Sequence, residues 1–209
     1  MKFYDCVSAP SPRRVRIFIA EKGLDIPTVH MDLRAGEHLT EAFRAKNPRC
    51  TVPVLELDDG TCLWETVAIC DYLESVYPQP PLMGRTAKER AQVLMWNSRI
   101  EADGFMGVAE YFRNSSPGFR NRAITGAANF EQIAALAERG RKRIDLFFIE
   151  LDKRFNETPF VVGDAYMMPD ITALVVVDFA LRLKVPLPQQ SAALKAWHER
   201  VSSRPSAAA

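Results

Sequence analysis

The sequence predicts two parts: an α/β domain built on a four-stranded mixed sheet, then an all-α domain. Three observations carry this. Up to about residue 78, short period-two runs alternate with short helical patterns. Pro78-Gln79-Pro80-Pro81 then forms a stiff stretch that continues no helix. Beyond it, long segments with helical periodicity follow one another. The expected boundaries are 1–78 for the first domain, 79–86 for the linker and 87–209 for the helical domain.

The elements follow in order. Lys2 to Cys6 is a strand candidate. Ser11-Pro12 reads as an N-cap followed by proline at the first helical position. That helix carries Val15, Phe18 and Ile19 and ends near Gly23, a C-terminal glycine. Val29, Met31 and Leu33 alternate with His30 and Asp32, as in a strand. A second helix spans His38 to Lys46 and stops before Asn47-Pro48. Val52 to Leu57 and Thr61 to Trp64 are strands joined by Asp58-Asp59-Gly60, a hairpin signal. Ile69, Tyr72, Leu73 and Val76 lie on one face of the next helix. The order is βαβ, a helix, then ββα. In the second domain, Thr86 to Phe112 and Asn129 to Phe155 read as long helices. Thr158 to Pro169 is a loop around Gly163. Asp170 to Leu183 is apolar on nearly every side, as for a central helix, and Ala192 to Ser203 is a last amphipathic helix.

Composition excludes several function classes. The chain has 209 residues, 47% hydrophobic and 25% charged, with a formal net charge of +1. That balance gives no basic face for nucleic acid and no polybasic membrane anchor. Met1 to Asp5 leads straight into folded sequence, without a secretory pattern. The richest apolar run, Ile171 to Leu183, is too short to span a bilayer and is broken by Asp178 and Arg182. Cys6, Cys50, Cys62 and Cys70 form no CxxC pair and no zinc spacing. They read as reduced thiols, and the chain as soluble and cytoplasmic. His30, His38 and His198 lie far apart in sequence, so no metal is expected.

Three segments carry chemistry. In Asn47-Pro48-Arg49-Cys50-Thr51-Val52-Pro53-Val54-Leu55, a proline opens a strand. It fits either an ordinary edge strand or a cis Val52–Pro53 bond. A cis bond would turn the main chain of Val52 outward, to pair with an extended peptide. In Trp64-Glu65-Thr66-Val67-Ala68-Ile69, Glu65 and Thr66 stand where a strand becomes a helix. They fit a plain cap, or a grip on an α-amino acid end-group: free N–H groups and a hydroxyl for the carboxylate, Glu65 for the ammonium. In Ser8-Ala9-Pro10-Ser11-Pro12-Arg13-Arg14, a helix start again follows a strand. There Ser11 fits a cap alone, or a cap that also donates its hydrogen to a thiolate.

Together these runs, with Glu21-Lys22-Gly23, Tyr72-Leu73, Phe160, Gly163-Asp164 and Asp170-Ile171, resemble the cytosolic bacterial glutathione transferases over nearly the whole chain. The resemblance implies a thioredoxin-like first domain, a helical second domain and a homodimer acting in detoxification. It implies that Val52, beside cis-Pro53, pairs with the cysteine of glutathione, and that Glu65 and Thr66 hold its γ-glutamyl group. It implies a reach from His38 to the glycine carboxylate, although a solvated surface histidine fits as well. Two positions depart from the pattern. Ala9 stands where many relatives place a catalytic serine, which leaves Ser11 as the thiol partner, with Ser8 one residue early. Tyr4 lies inside the first strand and Cys6 comes too early to serve instead. Met167 stands where relatives often have a capping Ser or Thr, while Asp170 remains to accept a bond at that turn.

The expected activity is attack of the glutathione thiolate on an apolar electrophile. Phe105, Tyr111 and Phe112 are candidates for the second-substrate pocket, or are simply core. The alternatives are a glutathione-dependent isomerase, dehalogenase, reductase or peroxidase, and a non-catalytic glutathione-binding or regulatory protein, for which Ala9 is the motive.

Overall fold

The structure, a computed structural model, describes residues 1–209. Contacts divide them into two units: Met1–Pro80 with Thr125–Ala128 and Ala209, and Pro81–Ile124 with Asn129–Ala208.

The first unit holds four strands: β1 (Lys2–Asp5), β2 (Thr28–His30), β3 (Val54–Glu56) and β4 (Cys62–Trp64). They lie in the order β2-β1-β3-β4. β1 runs parallel to β2 and antiparallel to β3, and β3 antiparallel to β4, so the sheet is mixed as expected. Helices α1 (Pro10–Glu21), α2 (Glu41–Lys46) and α3 (Thr66–Val76) complete it. α1 and α3 pack together, with Val15, Ile17, Phe18, Ile69 and Leu73 buried. The hairpin turn closes as its Asp-Gly signal foretold: Gly60 has φ +84, and the Leu57 N–H meets the Thr61 carbonyl at 2.8 Å. All four strands are shorter at one or both ends than expected, β3 keeping only Val54–Glu56 of 52–57, and one helix is divided. β2 stops at His30, because Asp32 turns the chain by accepting from the N–H groups of Arg34 and Ala35. The 38–46 helix is split. His38 belongs to a separate 3₁₀ turn, Glu37–Leu39, and Thr40 caps α2 through the Phe43 N–H.

A buried cation fastens the end of α3. Lys22 Nζ lies 2.5 Å from Glu74 Oε2 and donates to the carbonyls of Tyr77 (2.7 Å) and Pro80 (2.6 Å). Three acceptors thus satisfy an ammonium held away from water.

The second unit is helical: α4 (Ala87–Arg99), α5 (Met106–Ser115), α6 (Ala134–Glu157), α7 (Met168–Arg182) and α8 (Ala192–Ser202). α4 opens with a capping box between Thr86 and Glu89. The single helix expected over 86–112 is interrupted by a π-helical segment, Ile100–Phe105. Gly104 sits there against the Phe147 ring, where an added Cβ would come within 2.7 Å. α6 starts at Ala134 rather than near Asn129. The intervening chain is drawn elsewhere: Phe130 bonds Ala123 and Asn121, and Gln132 Nε2 donates to the carbonyls of Arg113 and Ser116.

α7 is buried along almost its whole length. At its start Asp170 accepts from the Val161 N–H (3.0 Å), the Trp197 indole (3.0 Å) and the Met167 N–H (3.2 Å). The carboxylate thus reaches back to the turn although Met167 offers no hydroxyl. Trp197 in turn stacks on Phe155, centroids 4.4 Å apart. Burial pushes the Asp170 carboxyl up to about 7, against the three N–H donors that pull it down.

Candidate active site

Three segments leave one end of the sheet together. Tyr4 faces Val54 and Val54 faces Trp64 in antiparallel register. The chain after β1, the chain before β3 and the chain after β4 therefore stand at the same end. These are the turn at Cys6–Ala9, the approach to Pro53, and Glu65–Thr66.

After β1 the Ala9 N–H closes a turn onto the Cys6 carbonyl, and α1 begins at Pro10. The N-cap is Ala9, whose side chain caps nothing, and not Ser11. Pro10 and Pro12 both tolerate the first turn, and Pro10 takes the N1 position. Ser11 is the second helical residue, half-buried, with its hydroxyl uncommitted to capping. Ser8 Oγ lies 3.5 Å from Cys6 Sγ.

Before β3 the buried Asn47 knots the loop. Its Nδ2 donates to the Thr51 carbonyl (2.8 Å) and hydroxyl (3.0 Å), and its Oδ1 accepts from the Arg49 N–H. The loop delivers a cis Val52–Pro53 bond, with Pro53 buried and Val52 half-buried.

After β4, Glu65 is exposed and has φ +76 and ψ +124. A residue with a Cβ rarely adopts that conformation, and such outliers concentrate at functional sites. Thr66 follows as the buried first residue of α3. Its hydroxyl donates to the Ser11 carbonyl (3.4 Å) and accepts from Arg14 Nη2 (3.1 Å). The openings of α1 and α3, each with free N–H groups and partial positive charge, are thereby joined.

His38 is buried, with 6% of its surface exposed, which removes the solvated-surface alternative. Tyr4 is committed elsewhere: its hydroxyl donates to Glu56 Oε2 (2.6 Å), which also accepts from Lys46 (2.9 Å). Burial and the Glu56 contact raise the Tyr4 pKa, while the Tyr4 and Lys46 donors hold Glu56 below the usual carboxylate range. All four cysteines are free thiols. In the helical unit, Phe105 ends the π-helical segment, and Tyr111 and Phe112 lie half-buried on α5. Phe112 is engaged edge-on with Phe119 (4.7 Å) and Phe179 (5.2 Å). Sequence reasoning missed Arg14. The available signal was a charge beside Val15 and Phe18 on the buried stripe of α1.

A mixed four-stranded sheet with a cis-proline opening β3, followed by a helical unit, is a thioredoxin-like architecture of the kind that glutathione-using enzymes carry. Residues 9–76 match the model of the glutathione S-transferase N-terminal domain, and residues 106–205 that of the C-terminal domain. The chain belongs to the glutathione S-transferase family, whose members use glutathione as substrate. It is 36% identical over 208 residues to glutathione S-transferase 2 of Saccharomyces cerevisiae, spanning 99% of this chain and 87% of that one. It is 30% identical over 178 residues to maleylacetoacetate isomerase of Mus musculus, spanning 83% and 75%. A crystal structure of a glutathione S-transferase domain-containing protein from Marinobacter aquaeolei superposes with a TM-score of 0.92, at 39% identity, over 99% of each chain.

Proposed function

We propose that the chain conjugates the thiolate of glutathione to an apolar electrophile. The observation that carries this is the strained Glu65 backbone, at the point where the openings of α1 and α3 are bonded to each other. In this reading the main chain of Val52, beside Pro53, pairs with the cysteine of glutathione. Glu65 takes the ammonium of the γ-glutamyl group, and Thr66 takes its carboxylate through hydroxyl and N–H. His38 serves the glycine end. Ser11 donates its hydroxyl hydrogen to the thiolate at the opening of α1, where the dipole favours negative charge. Phe105, Tyr111 and Phe112 serve the apolar co-substrate. The same reading makes the protein a cytoplasmic, detoxifying homodimer. Leu146 and Ile149 support the dimer: they stand 67% and 55% exposed on α6, apolar surface suited to a second copy.

The test is conjugation of a chlorinated nitroarene by protein retained on immobilised glutathione. Losing one hydrogen bond to an anion is expected to lower kcat of Ser11→Ala by about tenfold to a hundredfold. Equal rates would remove Ser11 from the mechanism.

The likeness to maleylacetoacetate isomerase supports a second reading, glutathione-dependent isomerisation. A substrate panel separates the two, because function resides in the site and not in the fold.

A further inference from the structure

Arg14 brings a full positive charge to the joined helix openings. It lies on the buried face of α1, with 4% of its surface exposed, and its Nη2 donates to Thr66 Oγ1 at 3.1 Å. A threonine hydroxyl has one hydrogen and two lone pairs. Here the hydrogen is turned to the Ser11 carbonyl and one lone pair is filled by Arg14. The bond to Ser11, at 3.4 Å, lies beyond the usual range for an O–H donor. A stronger acceptor takes that hydrogen readily. A carboxylate is such an acceptor, since charge-assisted bonds are about twice as strong as neutral ones. Arg14 also polarises the hydroxyl it donates to, which makes it a better donor.

The geometry points to Arg14 as a positioning residue for the γ-glutamyl carboxylate of glutathione. It pins Thr66 Oγ1 while the hydroxyl hydrogen swings from the Ser11 carbonyl to the ligand. This rests on the reading of Thr66 as part of the glutathione cradle. Arg14 acts through Thr66 and stays clear of the sulfur, so its effect falls on binding and not on the chemical step.

The experiment is calorimetric titration of the full chain, with steady-state kinetics alongside. The ligands are glutathione and its analogue in which the γ-glutamyl α-carboxylate is an amide. Loss of one charge-assisted bond is expected to weaken glutathione binding by R14M about tenfold and to raise KM in step. Because the chemical step is untouched, kcat stays within about twofold. The amide analogue binds R14M and wild type alike. In a T66V background R14M adds less than about twofold, because its partner oxygen is already gone. R14K, which keeps the charge without the planar fork, falls between wild type and R14M. It carries the same two comparisons if R14M does not fold. An equal loss for both peptides, or full additivity with T66V, overturns the proposal and leaves Arg14 a structural cation. Failure of the wild type to bind glutathione overturns the cradle itself.

Discussion

Glu65 holds a left-handed φ of +76 with ψ +124, a conformation that glycine adopts freely and other residues rarely do. Holding it with a Cβ costs about 1–3 kcal/mol. Glu65→Gly removes that strain. It also makes the unfolded chain more flexible, which costs about 0.5–1 kcal/mol. The net expected gain is about 0.5–2 kcal/mol. A chain of 209 residues unfolds with an entropy of roughly 0.4 kcal/mol/K, so the thermal midpoint rises by about 1–5 °C. Glu65→Ala is the control: it keeps the Cβ and the strain but loses the carboxylate. Thermal unfolding followed by circular dichroism should therefore place the glycine variant above both wild type and the alanine variant. Calorimetry should show both variants losing glutathione affinity by about tenfold or more, because both lack the carboxylate proposed to hold the ammonium. A glycine variant that melts at or below the alanine variant would refute the argument that strain is stored at this position in the service of binding.

Two further outcomes follow from the helical unit. Asp170, raised to about 7 by burial, keeps its proton when folded at pH values where the unfolded chain has released it near its ordinary value of 3.8. The folded state then binds more protons. Its contribution is full below about pH 4 and is lost as pH rises to about 7, by about 4 kcal/mol over the interval. Urea unfolding between pH 4.5 and 8 should show that slope in wild type and a flatter one in Asp170→Asn; parallel curves would contradict it. Gly140→Ala would place a Cβ 2.6 Å from the Tyr111 nitrogen and 2.7 Å from the Gly107 oxygen, both main chain on α5. Overpacking of that kind costs about 1–3 kcal/mol. Gly118→Ala, whose Cβ meets nothing, should leave the urea midpoint nearly unchanged.

What the sequence disclosed was local. The β3–β4 hairpin was legible because Asp58-Asp59-Gly60 builds its turn from neighbouring atoms. The cap of α2 was hidden within a helical pattern, although Thr40 performs it locally. The start of α1 was misplaced because two prolines two residues apart offer the same first-turn geometry, and Ala9 marks the start without a side-chain signal. The π-helical segment in the long 86–112 pattern was invisible for another reason. No capping side chain marks it, and Gly104 packs on Phe147, more than forty residues further along.

The site divides along the same line. The order of Val52-Pro53 and Glu65-Thr66 was readable because each run is contiguous, and the register of β1, β3 and β4 then brings the runs to one end of the sheet. The bond from Arg14 to Thr66 spans 52 residues and has no pattern of its own. A physical rule nevertheless marks it. A guanidinium on a buried helical stripe must find acceptors, because an unpaired buried charge costs several kcal/mol. The acceptor has to come from whatever packs on that stripe, and α3 packs on α1. Thr66, polar and at the start of α3, was therefore the residue to test against Arg14. Charged residues on apolar helix faces, taken with the polar residues of the element packed against them, point to contacts that periodicity alone does not reach.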